Sequence, residues 1–189
     1  VTKGTTGVCV DVTEGDIVVS NSIFSADGNN CRFYQVRDGG SLVSDYNALH
    51  MTNGAFVGVQ TAPPVPLPVL ADVVYDSVSR WTRDTGRDRR TLSGNPSVAD
   101  LATGDFHLLS QGGRYVVSND TFVLDGESSG LIDAGNPSAS FTNEPIPNGR
   151  RVNIGPHGNT PVASKTATNG FFTVVSLNDG GRAEGTSCA

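Results

Sequence analysis

The chain has 189 residues, with 23 glycines, 10 prolines and a net charge of −6 at pH 7. That length suits one sizeable domain, and its stock of Gly, Pro, Ser, Thr, Asn and Val favours short strands and turns over long helices, so an all-β chain is expected. The acidic balance excludes the basic surface that nucleic acid requires, and no apolar run approaches the roughly 18 residues of a membrane span.

Val8, Val10 and Val12 alternate with Cys9 and Asp11, the period-two pattern of a half-buried strand. Residues 17–24, 31–36 and 42–49 predict three further strands, with Asp27-Gly28-Asn29 and Asp38-Gly39-Gly40 as turns. Superposing Asn21-Ser22-Ile23 on Asn47-Ala48-Leu49 gives a shift of 26 residues, and Cys9 falls on Cys31 after 22. Both shifts lie within the window of about 20 to 50 residues that marks solenoids, so stacked coils are expected. Asn21 and Asn47 then either bond along the stack as an amide ladder or serve simply as turn formers.

Residues 55–59 read as another strand leading into the proline-rich run 62–68, where lost N–H donors push the chain out of the stack over residues 61–92. Val73 to Tyr75 rejoins it. The following segment holds Arg80, Arg83, Arg87, Arg89 and Arg90, whose guanidinium forks match the carboxylates or sulfates of an acidic polysaccharide. Asp76, Arg80 and Asp84 at i,i+4 spacing also describe a plain solvated helical or turn-like loop. Residues 171–177 suggest a last strand before a Gly-rich tail, 169–189.

Candidates for acid–base chemistry are Asp11, Asp38 and Asp45 with Arg32 and Arg37, but they form no recognisable catalytic motif, and both lysines, Lys3 and Lys165, lie near the ends. His50, His107 and His157 are far apart in sequence and suggest neither a metal site nor a triad; His107 is read as a surface or core-edge residue. Cys9 and Cys31, if stacked on neighbouring strands about 4.8 Å apart, satisfy the roughly 4.4 to 6.8 Å of a disulfide. Parity opposes the bridge, because Cys9 sits opposite the valine face whereas Cys31 shares its face with Phe33. Cys188 is the odd third, and no CxxC suggests zinc.

The last informative region runs from Asp105 to Lys165. Leu131-Ile132 predicts a short strand, Pro137, Pro145, Pro147 and Pro156 forbid helix beyond it, and Arg151 to Ile154 predicts the return strand. Asp133, Asn136, Asn143 and Glu144 offer hard oxygen ligands for calcium, or equally cap turns. In order along the chain come Gly104-Asp-Phe-His-Leu108, Gly113-Arg-Tyr115, Ile132-Asp-Ala-Gly135, Asn143-Glu-Pro145, Asn148-Gly149 and Arg151 through Lys165. Together these resemble the C-terminal end of the right-handed parallel β-helix repeat proteins of bacterial secreted and surface proteins, over residues 95–166. The chain departs from that pattern at Leu131, at Arg150-Arg151 and at Pro156-His157.

The resemblance implies a right-handed parallel β-helix of the pectin-lyase-like fold over residues 1–168, with a terminal strand as cap, in an extracellular or cell-surface protein. The function expected is a non-catalytic module with a structural, adhesive or glycan-contact role; the alternative is a fragment of a polysaccharide lyase or glycoside hydrolase. No cofactor is required, and calcium is the one candidate. Polysaccharide is the expected partner. With Val1 already close to a strand and no cap before it, end-on self-association or continuation into a larger chain is also expected. Any secretion signal would lie upstream or have been removed.

Overall fold

The computed structural model describes residues 2–3, 6–37, 39–61 and 72–168. Asp38, the proline run, the expected strand at 171–177, the tail and Cys188 lie outside the described residues. The strands are β1 (Thr2–Lys3), β2 (Gly7–Val12), β3 (Gly15–Ser20), β4 (Ile23–Asp27), β5 (Cys31–Val36), β6 (Gly40–Asp45), β7 (Ala48–Thr52), β8 (Phe56–Gln60) and β9 (Val73–Tyr75). After the helix α1 (Val78–Thr85) come β10 (Leu92–Ser93), β11 (Val98–Asp100), β12 (Asp105–Leu108), β13 (Arg114–Val116) and β14 (Thr121–Val123).

The all-β expectation holds, but the single right-handed parallel β-helix does not. The strands form five separate sheets of two to four strands, none of them closed: β1-β4-β7-β10, β2-β5-β8-β9, β3-β6, β11-β12 and β13-β14. Parallel pairing is confined to β1 through β8 and β10; β9 runs antiparallel to β8, and β11-β12 and β13-β14 are antiparallel pairs. From Val73 onward the strands are only two to four residues long. They are separated by turns at which Asp88, Ser97 and Asp120 adopt positive φ. Such short pieces cannot carry a continuous ladder.

The repeat distances read from Asn and Cys are also not those of the strands. Val8 pairs with Arg32 and Arg32 with Phe56, a step of 24 residues, while Ile23 pairs with Ala48, a step of 25. The expected strand 17–24 is broken at Asn21 (φ 53) and the strand 42–49 at Tyr46 (φ 57), a left-handed conformation that no strand continues through. Asn47 is fully buried at the second break. It accepts the Ser22 amide at 3.0 Å and donates to Val19 O at 3.2 Å, so it fastens one turn to the next without an amide ladder. Residues 131–132 and 151–154 are not strands; they are tied by Gly135 N to Val152 O at 2.9 Å and Ile154 N to Leu131 O at 3.0 Å.

Two apolar clusters hold these pieces. Val12, Cys31, Phe33, Tyr34, Val36, Leu42, Leu49, Val57, Tyr75 and Trp81 make the larger; Ala48, Leu108, Leu131 and Ile154 make the smaller. Trp81 is the one buried residue of α1, stacked on Tyr34 at 5.3 Å and edge-on to Tyr75 at 5.0 Å. A buried aromatic of this size contributes about 1.5 to 3 kcal/mol, so Trp81, with Val78 beside it, decides how the helix docks. No described helix is long and apolar enough to cross a membrane.

Candidate functional site

The sequence candidates are drawn into separate pairs. Asp11 and Arg37 form a bidentate, solvent-facing ion pair, with Arg37 Nε 3.1 Å from Asp11 Oδ1 and Nη2 3.0 Å from Oδ2. Arg32 donates to Gln35 Oε1 at 3.0 Å and lies over the Phe56 ring. Asp45 accepts the Arg90 amide at 2.6 Å and Arg90 Nη1 at 2.9 Å, so its partner is Arg90, not Arg37.

The arginine-rich segment is likewise divided. Arg80 and Arg83 both reach Asp84, at 3.7 and 2.8 Å, on the exposed face of α1. Arg87 instead turns inward, donating to Leu42 O at 2.7 Å with its guanidinium over Trp81, and burial lowers its affinity for a proton. A helical or turn-like loop was legible here; the inward turn of Arg87 and Asp88 was not.

Asp88 is 2% exposed and anchors a network. Its Oδ2 accepts the Trp81 indole at 2.8 Å, and its Oδ1 accepts Ser44 Oγ at 2.8 Å, Thr91 Oγ1 at 2.7 Å and Tyr34 OH at 3.4 Å. Burial, then the Asp88 charge, push the Tyr34 hydroxyl far above its ordinary titration range. The five residues come from β5, β6, α1 and the segment that follows α1, so no local pattern announces them.

The histidines far apart in sequence meet in space. His107 and His157 stack face to face with ring centroids 3.7 Å apart, and His107 Nδ1 lies 2.6 Å from Asp105 Oδ1. Burial raises the Asp105 carboxyl, but the bonds from His107 outweigh it and hold the group below its usual value. His157 is lowered by burial and by the neighbouring His107. His107 itself is 5% exposed, with Nε2 sealed from solvent and without a hydrogen-bond partner. It therefore lies in the interior and not at the surface.

Of the four calcium candidates, Asp133 and Glu144 lie inward. Burial pushes the Asp133 carboxyl up, with Thr166 and Arg151 opposing; burial also pushes Glu144 up, with Asp133 adding to it against bonds from the Asn159 and Asn153 amides. Asn143 is exposed, and Asn136 Oδ1 accepts the Ser138 amide at 2.9 Å. The cysteine alignment also changes: Cys31 pairs with Gly7, which puts Cys9 opposite Phe33 and not opposite Cys31.

A cleft of about 470 Å³ lies where β4 meets the 155–156 turn. Phe24 and Phe106 form its apolar sides, Asn21 and Ser22 supply an amide and a hydroxyl, and Gly155 and Pro156 form the rim. Its walls are clamped together: Gly155 N donates to Asn21 O at 2.9 Å, and Asn21 Oδ1 accepts the Asn136 amide at 2.7 Å. Gly155 is at φ 126, and a Cβ there would come within 2.9 Å of Ile23 Cδ1. None of the lining residues is titratable. Sequence reasoning missed this cleft because its lining comes from three segments, at 21–24, 106 and 155–156, that lie far apart in the chain.

Comparison with family models, with curated proteins and with solved structures finds no match. The motif resemblance to β-helix repeat proteins gains no support from them, and nothing in them bears on secretion or on glycan binding.

Proposed function

We propose that the chain is a non-catalytic scaffold and contact module of the cell exterior, whose cleft between Phe24 and Phe106 takes the face of a neutral sugar. The supporting observation is the chemistry of that cleft. Aromatic side walls suit the apolar C–H face of a pyranose, an amide and a hydroxyl suit its ring hydroxyls, and no acid, base or nucleophile lines the space. The acidic and basic side chains that a lyase or hydrolase would need are spent on one another, as in Asp11 with Arg37 and Asp45 with Arg90.

The test is calorimetric titration of the full chain with neutral oligosaccharides and with pectate and alginate, with assays for reducing ends and unsaturated products. Binding heat from a neutral oligosaccharide without turnover is expected. Turnover abolished by Asp45→Ala or Arg37→Ala, or no heat with any neutral oligosaccharide, would sink the proposal.

A further inference from the structure

Glu144 is 5% exposed, and only one of its two oxygens is used. Oε1 accepts the Asn153 amide at 2.9 Å and the Asn159 amide at 2.8 Å, while Oε2 is sealed from solvent without a partner. Asp133 repeats the arrangement: Oδ2 accepts Thr166 Oγ1 at 2.7 Å, and Oδ1 is sealed and without a partner. Asn153 joins the two acids directly, because its amide is held by Glu144 and its Oδ1 accepts the Asp133 amide at 2.8 Å. The Asp133 charge acts on Glu144. Arg151, whose charge acts on Asp133, is turned to main-chain carbonyls, Gly135 O and Ala134 O.

Two adjacent carboxylates, each with an oxygen that neither water nor a donor reaches, are costly to fold unless something cancels their charge. Hydrogen bonds to neutral donors leave the charge in place. We propose that Asp133 and Glu144 together hold a calcium ion, with Oδ1 and Oε2 as its charged ligands. The donor set is all hard oxygen, with neither sulfur nor imidazole, which suits calcium over zinc or copper. The site is narrower than the four residues the sequence offers, since Asn143 is exposed and Asn136 is committed to its own turn. Because the ligands come from residues 133 and 144, and Asn153 of the return segment is hydrogen-bonded to both residues, the ion would lock the turn-rich C-terminal region, where strand pairing is sparse. This site is independent of the cleft and of any sugar bound there.

The test is thermal unfolding of the full chain after dialysis against EDTA, with calcium chloride added back. A binding ion raises the midpoint by roughly 5 to 10 °C at a hundredfold excess over Kd in a chain of this size. Glu144→Gln keeps the Oε1 acceptor and removes the charge, and Asp133→Asn does the same on the other side. Each is expected to abolish the calcium-dependent rise while still unfolding cooperatively. If either variant fails to fold, calcium content of the wild-type protein by native mass spectrometry decides, with one ion per chain expected and none overturning the proposal. No rise with calcium, an equal rise with magnesium chloride, or a rise that survives both substitutions overturns it. So does stabilisation by mild acid alone, which would mean that a proton neutralises the pair instead.

Discussion

Trp81 and Asp88 lie seven residues apart on either side of the Gly86 cap, and the indole N–H of one donates to Oδ2 of the other at 2.8 Å, with both residues buried. The helix end is thereby folded back over its own last turn, and the second oxygen of Asp88 passes the connection to Ser44 of β6 and to Thr91. One carboxylate thus fixes the seat of α1 on the parallel strands. Asp88→Ala would leave those donors buried without an acceptor and is expected to cost about 3 to 5 kcal/mol in urea unfolding. Asp84→Ala, on the exposed side of the same segment, is expected to leave the urea midpoint nearly unchanged. Equal effects would mean that Asp88 is not the anchor.

The stacked histidines make stability depend on pH. Burial and His107 hold the His157 pKa below its ordinary 6.5, so in the folded chain the ring resists a proton that the unfolded chain accepts. Stability is therefore complete above about pH 6.5 and declines as pH falls below it, levelling only beneath the lowered folded value. Urea midpoints between pH 7.5 and 5 should fall for the wild type and flatten for His157→Phe, which keeps a ring on His107. Parallel pH profiles for the two proteins would remove His157 as the cause.

Arg114 and Asp125 form the most enclosed ion pair among the described residues, with side chains 17% and 13% exposed. Nε and Nη2 of Arg114 both engage the carboxylate, which also accepts the Ser110 amide at 2.8 Å. Arg114→Lys keeps the charge but loses the fork, and a loss of about 1 to 2 kcal/mol is expected. Arg37→Lys, at the exposed pair with Asp11, should leave stability nearly unchanged. Chemical denaturation of both variants checks the contrast.

Much of the N-terminal half was legible because its strands obey local rules. Residues 31–36 and 73–75 form strands with the bounds that their β-branched and aromatic runs suggest. The breaks at Asn21 and Tyr46 fall at the polar triplets Ser20-Asn21-Ser22 and Asp45-Tyr46-Asn47, where a turn-forming asparagine does mark the place but the apolar residues on either side favour an unbroken strand. The long-range order was misread for another reason. Motifs at residues 104–165 suggested a repeat continuing to the end, whereas that region is held by turn and side-chain bonds such as Ser164 Oγ to Leu108 O and Asn153 Nδ2 to Ser164 O. The cleft and the Asp88 network depend on residues far apart in sequence, and one sequence gives no view of such pairs.

Gly155→Ala should show how tightly the cleft is set. At φ 126 an alanine is strained, and its methyl would press on Ile23, so a loss of about 1 to 3 kcal/mol is expected together with altered resonances for residues 21–24. A fully stable variant with an unchanged spectrum would mean that the 155–156 turn is free to move away from β4.

The most direct measurement is a heteronuclear NMR titration of the full chain with a neutral oligosaccharide, repeated with Phe106→Ala. Shift changes centred on Asn21 to Phe24, Phe106 and Gly155, weakened at least about tenfold in affinity by the substitution, are the predicted result. Changes centred instead on Arg80, Arg83 and Arg90, or none at all, would contradict the cleft as the contact site.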